Sequence, residues 1–307
     1  MSFGCFYLYL FIGYNMPWLI NAAQLEKFRK SQKNLIIFDA TWHLPESTHL
    51  AKETFIDKHI LGSRFLDLDM FHDKETHLPN MLLRDEKLIG QYLGELGVTN
   101  DHKIIFYDHG DLHTSCRALW MFKVFGHHPN LLYILDGGFA EWEKYAGKTE
   151  NGEPRIVAKS YQVNFEVQYL RTLMQMKNNL HHPSEQVIDM RHPVRFAGGT
   201  EHRLHLRAGH IPGSFSFPYF TMFEADGRFK STDKIRKQLM SIGVGLNSRI
   251  VSCCGSGITA AILNFVLDLL NHSQHALYDG SWSEWGADTL YPGETSLKER
   301  PVITCLE

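Results

Sequence analysis

The pattern of apolar and polar positions indicates short buried strands that alternate with helices. Continuous apolar runs occupy residues 35–38 and 104–107 in the first half of the chain, and 187–188 and 250–251 in the second half. Each run is followed by turn residues and then by a segment with helical periodicity. Such runs are typical of strands that are covered on both faces in a parallel sheet. We therefore predict an α/β fold in which helices cover both faces of a parallel sheet.

The pattern occurs twice, because several segments of the first half return about 150 residues later. The sequence His-Ile-Leu-Gly-Ser at 59–63 is echoed by His-Ile-Pro-Gly-Ser at 210–214, and residues 135–142 are echoed by residues 278–285. A length of 307 residues fits two such domains. We predict a tail at 1–17, a first domain at 18–146, a linker at 147–160 and a second domain at 161–307.

The segment 251–260, with the sequence Val-Ser-Cys-Cys-Gly-Ser-Gly-Ile-Thr-Ala, carries the strongest chemical signal in the chain. It predicts the end of a strand, a short loop, and a helix that begins near Thr259. Cys254 then lies at the positive end of the helix, where backbone N–H groups without a helical partner favour a thiolate over a thiol. Gly255 and Gly257 allow the backbone to curl around the sulfur. We therefore predict that Cys254 is a nucleophile.

The same loop disfavours several other cysteine chemistries. Tyrosine phosphatases need an arginine six residues after the cysteine, and Ala260 occupies that position. Dithiol oxidoreductases use Cys-x-x-Cys, whereas Cys253 and Cys254 are adjacent. The flanking sequences of cysteine proteases are absent. The remaining interpretation is a six-residue loop, 254–259, that holds a persulfide sulfur among N–H donors.

The sequence Cys-Gly-Ser-Gly-Ile-Thr at 254–259 resembles the active-site loop of 3-mercaptopyruvate sulfurtransferases, a family of the rhodanese superfamily. The resemblance extends over roughly residues 18–295, and it is also carried by the segments 187–191, 210–214 and 278–285. It implies two tandem rhodanese-like domains, each with a parallel sheet between helices. The first has Asp-His-Gly-Asp at 108–111 where the second has its cysteine loop. We therefore expect the first domain to be non-catalytic.

The resemblance implies an enzyme that moves sulfane sulfur from 3-mercaptopyruvate to a thiol or to cyanide. The Cys254 thiolate attacks the sulfur of the substrate, forms a persulfide and releases pyruvate, and the acceptor then takes the outer sulfur. In the family, the serine of the loop, here Ser256, is linked to an aspartate and a histidine of the first domain. Asp69 and His77 match them, although His77 lies in His-Leu-Pro where the family has His-Met-Leu-Pro.

Two arginines of the family bind the carboxylate of the 2-oxo acid, since a guanidinium grips a carboxylate with two parallel hydrogen bonds. Arg195 and Arg203 are the best matches, although their separation is one residue shorter than in the family. Arg191 and Arg207 are the alternatives. The other loop residues expected at the substrate are Gly255, Gly257, Ile258 and Thr259.

Two other functions stay open on the sequence. A thiosulfate sulfurtransferase would use the same fold and Cys254, but enzymes of that kind usually carry cationic side chains in the loop, and residues 255–257 are uncharged here. A non-catalytic rhodanese-like module would bind a partner or carry sulfur without turnover, and the intact loop argues against it. Cys253 is expected to pack in the core of the second domain, with a redox partner of Cys254 as the alternative.

Composition and charge narrow the partners and the compartment. A net charge of −3 argues against a nucleic-acid surface. Five cysteines without paired spacing fit a reducing compartment, so we expect a cytoplasmic protein. The apolar stretch at 3–14 has no basic start and is too short to cross a bilayer, so we expect no membrane association. Eighteen histidines lack ligand spacing, and we expect no metal or cofactor. The expected acceptor is a thiol, with thioredoxin as a candidate, and the expected state is a monomer.

Overall fold

Two parallel sheets with the same strand order form the framework of the computed structural model, which describes residues 18–110 and 112–305. The strands of the first half are β1 (Leu19–Ile20), β2 (Leu35–Asp39), β3 (His59–Ile60), β4 (Arg64–Phe65), β5 (Lys103–Tyr107), β6 (Leu132–Leu135) and β7 (Thr149–Glu150). The sheet has the order β1-β6-β5-β2-β4, and every neighbouring pair is parallel. β3 and β7 form a separate antiparallel pair.

The second half repeats this arrangement. Its strands are β8 (Leu170–Arg171), β9 (Glu185–Asp189), β10 (Phe215–Ser216), β11 (Arg249–Cys253) and β12 (His275–Tyr278). They are ordered β8-β12-β11-β9-β10, again all parallel, so each strand occupies the place of its counterpart in the first sheet. The predicted α/β class and the predicted duplication are both confirmed.

Ten α-helices lie along the described part of the chain. Those of the first half are α1 (Ala22–Ser31), α2 (Ala51–Asp57), α3 (Glu86–Glu95), α4 (Ser115–Val124) and α5 (Gly138–Lys144). Those of the second half are α6 (Leu173–His181), α7 (Pro193–Ala197), α8 (Thr232–Ser241), α9 (Ala260–Leu269) and α10 (Ser281–Trp285). The first helix of each half begins with a capping box, in which the side chains of the N-cap and third residues each bond the other's backbone N–H. The two halves therefore also share the sequence signal that begins their first helix.

Helices α4 and α9 pack against each other and join the two halves. Every residue of α4 is buried, as are nine of the ten residues of α9, because each helix lies between its own sheet and the other half. One buried hydrophobic cluster contains side chains from both halves. Lys123 of α4 and Asp268 of α9 form a buried ion pair of 2.7 Å across this contact. Within the described residues, no helix is long and apolar enough to cross a membrane.

Two arms exchange contacts between the halves. We call residues 72–82 the first arm and residues 223–229 the second arm, and each is closed by an antiparallel bridge between its ends. The last residue of each arm donates its backbone N–H to an aspartate that follows β6 or β12 of the other half. The pairs are Leu82 to Asp279, at 2.8 Å, and Phe229 to Asp136, at 2.9 Å. This exchange brings the first arm against the loop that follows β11.

The structure also describes the stretch predicted as a linker, 147–160. Its beginning is not free, because β7 pairs with β3 and so belongs to the first half. The predicted tail at 1–17 lies outside the described residues. The exact domain boundaries stay a prediction.

Candidate active site

Cys254 lies in the strand-loop-helix junction that the sequence predicts. β11 ends at Cys253, and α9 begins at Ala260. The Cys254 residue is 2% exposed, and its backbone is fixed on both sides by α10: its N–H donates to Ser281 Oγ at 3.1 Å, and its carbonyl accepts from the Trp282 N–H at 3.0 Å. The thiol is therefore held at the carboxyl edge of the sheet, where parallel α/β folds place their sites.

Gly257 is the position of the loop where the fold requires a glycine. Its φ of +83° is in the left-handed region, which side-chain-bearing residues rarely adopt. A Cβ atom there would also lie 2.8 Å from the Asp279 carbonyl oxygen and 3.1 Å from Arg117 Nη1. The loop is thus pressed between the end of β12 and a side chain from the first half.

Two arginines flank the loop next to Cys254. A Cβ built on Gly255 would meet Arg203 Nη1 at 3.5 Å and Arg195 Nη1 at 3.7 Å, so both guanidinium groups lie beside this residue. Arg203 Nη1 also donates to the Gly255 carbonyl at 3.3 Å and to Ser283 Oγ at 3.0 Å. Its Nη2 is buried and forms no hydrogen bond with any residue that the structure describes. The structure therefore brings Arg195 and Arg203 together beside the residue that follows Cys254.

Glu201 links the two arginines, and sequence reasoning missed it. Its Oε2 accepts from Arg195 Nε at 3.1 Å and Nη2 at 2.7 Å, and its Oε1 accepts from Arg203 Nε at 3.3 Å. Burial raises the pKa of Glu201, but the hydrogen bond and charge of Arg195 and the charge of Arg203 outweigh burial, so the pKa lies below its usual value. Burial and the neighbouring Arg195 charge lower the pKa of Arg203.

The two alternative arginines are engaged elsewhere. Arg191 forms a buried pair with Asp189, with Nη2 to Oδ2 at 2.7 Å, and also donates to the Gly209 carbonyl at 2.7 Å. Its guanidinium stacks over the Trp282 ring at 4.1 Å. Arg207 donates to the Trp285 carbonyl at 2.7 Å. Both guanidinium groups therefore support the backbone and rings around the site.

A cleft of about 350 Å³ opens at the cysteine loop between the two halves. One wall contains the arginines and Glu201 of the second half. The opposite wall comes from the first half and contains Trp42, Leu44, Glu46 and Leu112. The loop residues that reach the cleft are Cys254, Gly255, Ser256, Ile258 and Thr259. Gly257, which was also predicted at the substrate, is not among the residues that line this cleft and instead packs against Asp279.

Asn80 of the first arm contacts the hydroxyl of Ser256. Its Nδ2 donates to Ser256 Oγ at 2.7 Å. Arg117 of α4 holds Asn80 and the residue after Ser256, since its Nη2 donates to the Asn80 carbonyl at 2.7 Å and its Nη1 to the Gly257 carbonyl at 3.3 Å. Arg117 Nη1 also lies 2.9 Å from Asp279 Oδ1. The first half therefore orients the serine of the cysteine loop.

Asp69 and His77 occupy other places. Asp69 Oδ1 accepts from Trp42 Nε1 at 2.8 Å and lies 3.1 Å from His72 Nδ1, and this His72 contact is the main cause that lowers the pKa of Asp69. His77 is exposed on the first arm. Among the described residues, neither side chain forms a hydrogen bond with Ser256, because Asn80, three residues after His77, fills that place. Asp69 is not among the residues that line the cleft, but it accepts a hydrogen bond from Trp42, which does line it.

The comparisons with known proteins agree with this geometry. The family model described as a rhodanese-like domain matches residues 21–145 and 172–288. This chain belongs to the rhodanese family. The 3-mercaptopyruvate sulfurtransferase of Escherichia coli K12 is 34% identical over 280 residues, which cover 90% of this chain and 98% of that enzyme. The human 3-mercaptopyruvate sulfurtransferase is 32% identical and covers 86% of this chain and 89% of its own length.

Other members of the rhodanese family are equally similar. The thiosulfate sulfurtransferase of Gallus gallus is 34% identical over 254 residues, or 82% of this chain and 86% of that enzyme. The crystal structure of SseA from Escherichia coli, described among the 3-mercaptopyruvate sulfotransferases, matches with a TM-score of 0.79 at 30% identity. It covers 87% of this chain and all of that one. The protein is therefore a rhodanese-type sulfurtransferase.

The first rhodanese domain has no thiol at the loop that corresponds to 254–259, as far as the structure describes that loop. His109 lies there instead, with its Nε2 3.0 Å from Asp39 Oδ2 and its ring stacked on Phe139 at 4.1 Å. Cys116 follows in α4, where burial raises the pKa of its thiol well above the usual value. Asp111 lies outside the described residues. His109 and Cys116 thus take part in packing contacts of the first domain.

Cys253 lies on the opposite face of β11 from its neighbour. It packs in a buried cluster with Val187, Tyr278 and Trp282, whereas Cys254 belongs to the cluster that joins the two halves. Burial raises the pKa of the Cys253 thiol well above its usual value. These are the contacts of a core side chain, as predicted from strand alternation. Within residues 18–110 and 112–305, no group of three or more His, Cys, Asp or Glu side chains is arranged to hold a metal ion.

Proposed function

We propose that this rhodanese-family protein transfers the sulfane sulfur of 3-mercaptopyruvate to a thiol or to cyanide through a persulfide on Cys254, and releases pyruvate. The observation that carries the proposal is the position of the Arg195 and Arg203 guanidinium groups beside Gly255, next to Cys254 and outside an uncharged loop. A small 2-oxo acid places its carboxylate a few atoms from its thiol. The arginines are thus suited to hold the carboxylate while the sulfur reaches Cys254.

The first step forms one bond and breaks another. The Cys254 thiolate attacks the sulfur of 3-mercaptopyruvate, so that an S–S bond forms and the bond between that sulfur and carbon 3 breaks. The electron pair of the broken bond becomes the enolate of pyruvate, which takes up one proton. The substrate's own S–H proton stays on the outer sulfur of the persulfide. Arg195 and Arg203 stabilise the anionic product while it forms.

The second step returns the enzyme to its starting state. A thiolate acceptor attacks the outer sulfur, a new S–S bond forms on the acceptor, and the Cys254 thiolate leaves. The cleft between the halves opens on the Cys254 side of the loop, which gives the acceptor access to that sulfur. We propose that the acceptor is a thiol protein such as thioredoxin. We also propose that the reaction takes place in the cytoplasm. Kinetics of the ping-pong type follow from this two-step route.

Ser256 is suited to supply the proton for the enolate. Asn80 Nδ2 donates to Ser256 Oγ at 2.7 Å, so the oxygen accepts this bond and the serine proton stays free to point elsewhere. Ser256 lines the cleft beside Cys254. We therefore propose that Ser256 donates to the departing enolate and that Asn80 fixes the direction of that donation.

A comparison of sulfur donors tests the proposed function. We expect the wild-type protein to have a higher kcat/KM with 3-mercaptopyruvate than with thiosulfate, with cyanide as acceptor in both assays. After exposure to 3-mercaptopyruvate alone, mass spectrometry should show a gain of about 32 Da on the peptide that contains Cys254. A higher kcat/KM with thiosulfate would support the second candidate, to which the similarity with the Gallus gallus enzyme points. Absence of the mass gain would support the non-catalytic module.

Substitution of Asn80 tests the orientation of the serine. In Asn80→Asp the new carboxylate accepts a hydrogen bond from Ser256, so the serine proton points away from the substrate. Aspartate tolerates the positive φ of 62° at this position nearly as well as asparagine. We expect kcat with 3-mercaptopyruvate to fall roughly tenfold to hundredfold with little change in KM.

Ser256→Ala and the double variant serve as controls for this test. Ser256→Ala should lower kcat by a similar factor, and the double variant should lose no more than Ser256→Ala alone, because both changes remove the same proton donor. Full kcat in Asn80→Asp would show that this hydrogen bond does not direct the proton.

A further inference from the structure

The anion site beside Cys254 contains a buried carboxylate that does not contact the loop itself. The Glu201 side chain is 4% exposed and lies between the two guanidinium groups, as an acceptor from Arg195 at 2.7 Å and from Arg203 at 3.3 Å. An arginine pair that only had to attract anions would bind them more strongly without a competing negative charge. The attraction of anions to the arginine pair therefore does not explain why Glu201 lies between the two guanidinium groups.

The cluster of ion pairs beside Cys254 carries a single net positive charge. Arg191, Arg195 and Arg203 supply three positive charges, and Asp189 and Glu201 supply two negative ones within the same cluster of ion pairs. Arg191 is compensated by its pair with Asp189, at 2.7 Å. Glu201 then cancels one of the two guanidinium charges that face the loop. The Cys254 thiolate of the proposed mechanism adds a further negative charge, so little positive charge is left to compensate a donor that carries two negative charges.

We propose that Glu201 is a specificity-determining residue that makes this site select monoanionic sulfur donors over dianionic ones. The inference rests on the proposed function and deepens it. A 2-oxo acid thiol carries one carboxylate charge at neutral pH, whereas thiosulfate carries two. The second charge of thiosulfate would lie close to the Glu201 carboxylate, without a further cation inside the uncharged loop 255–257 to compensate it. Rejection of the wrong donor by repulsion is a common route to specificity.

Glu201 acts through the arginines, so we class it as a positioning residue as well. It takes up Nε and Nη2 of Arg195 and Nε of Arg203, which leaves Arg195 Nη1 and the unpartnered Arg203 Nη2 on the side of Gly255. A substrate carboxylate would therefore approach the arginine pair from the side of Gly255. One buried carboxylate thus fixes both the orientation of the two guanidinium groups and the net charge that a substrate meets.

The selectivity between two donors tests this inference. In Glu201→Gln the site gains one unit of positive charge, while the side chain keeps its size and one acceptor oxygen. We expect the ratio of kcat/KM for 3-mercaptopyruvate to kcat/KM for thiosulfate to fall by about tenfold or more, with the thiosulfate value itself rising above that of the wild type. Glu201→Asp keeps the charge, and its ratio should stay within about threefold of the wild-type ratio.

A matched control removes the same charge from the surface outside the cleft. Glu86 lies exposed in α3 and is not among the residues that line the cleft, so Glu86→Gln should leave the donor ratio within about threefold of the wild-type ratio, because solvent screens its charge. An equal loss of activity with both donors in Glu201→Gln would overturn the inference and assign Glu201 a purely structural role. Such a loss would leave the proposed function intact. Failure of the wild type to use 3-mercaptopyruvate would instead overturn the proposed function, and this inference with it.

Discussion

Replacement of Cys254 by serine is expected to lower sulfur transfer at least about a thousandfold, the largest effect of any single substitution in the chain. A serine hydroxyl is almost entirely protonated at neutral pH and is a far weaker nucleophile toward sulfur than a thiolate. The Cys254→Ser protein should also show no mass gain of about 32 Da after exposure to 3-mercaptopyruvate. Steady-state kinetics with cyanide and intact-protein mass spectrometry measure the two results.

The adjacent thiol provides a matched control. Cys253→Ala removes a sulfur one residue away, but from the face of β11 that packs in the core, so we expect turnover within about threefold of the wild type and a retained mass gain. The Cys253→Ala protein should be less stable by about 1 kcal/mol, since a small buried side chain is truncated. If instead Cys254→Ser kept the mass gain and Cys253→Ala lost it, the added sulfur would be on Cys253, and Cys254 would be rejected as the nucleophile.

Much of the architecture could be predicted because its signals are local. The apolar runs, the two glycines around Ser256 and the repeated His-Ile-x-Gly-Ser segments each act over fewer than about ten residues, where chain geometry leaves few alternatives. Cys254 could be placed because it follows a strand end of a parallel sheet, where such folds carry their reactive loops. Arg195 and Arg203 were named only because the resemblance to the family implies two arginines in that segment. These predictions needed no knowledge of how the halves dock.

The contacts that orient the site could not be predicted in the same way. Asn80 reaches Ser256, and Arg117 reaches Gly257, across more than a hundred residues of sequence. Nothing in the local pattern around Asn80 or Arg117 distinguishes them from surface or helix residues, since their partners depend on how α4 and the first arm dock. Glu201 could have been suspected, because it lies between two predicted anion-binding arginines.

The interface between the halves carries the second large expected effect. Arg117 is fully buried, pairs with Asp279 at 2.9 Å and stacks over the Trp120 ring at 4.3 Å. In Arg117→Met the Asp279 carboxylate loses its cation in a buried place, so we expect a loss of about 3–5 kcal/mol in the free energy of unfolding. Because Arg117 also donates to the Gly257 and Asn80 carbonyls, kcat should fall about tenfold or more.

Lys123→Met separates the two consequences. Lys123 lies on the same helix and is also buried, and its ammonium pairs with Asp268 of the second half at 2.7 Å. Its loss also leaves a buried carboxylate without its main cation, so urea unfolding should show a destabilisation of about 2–4 kcal/mol. Lys123 contacts neither the cysteine loop nor the first arm, and kcat should stay within about threefold of the wild type at a temperature where both variants are folded. If the two variants lose turnover equally, stability alone explains the effect, and Arg117 does not position the loop. If only Arg117→Met loses turnover, the first half acts on the chemistry through this side chain.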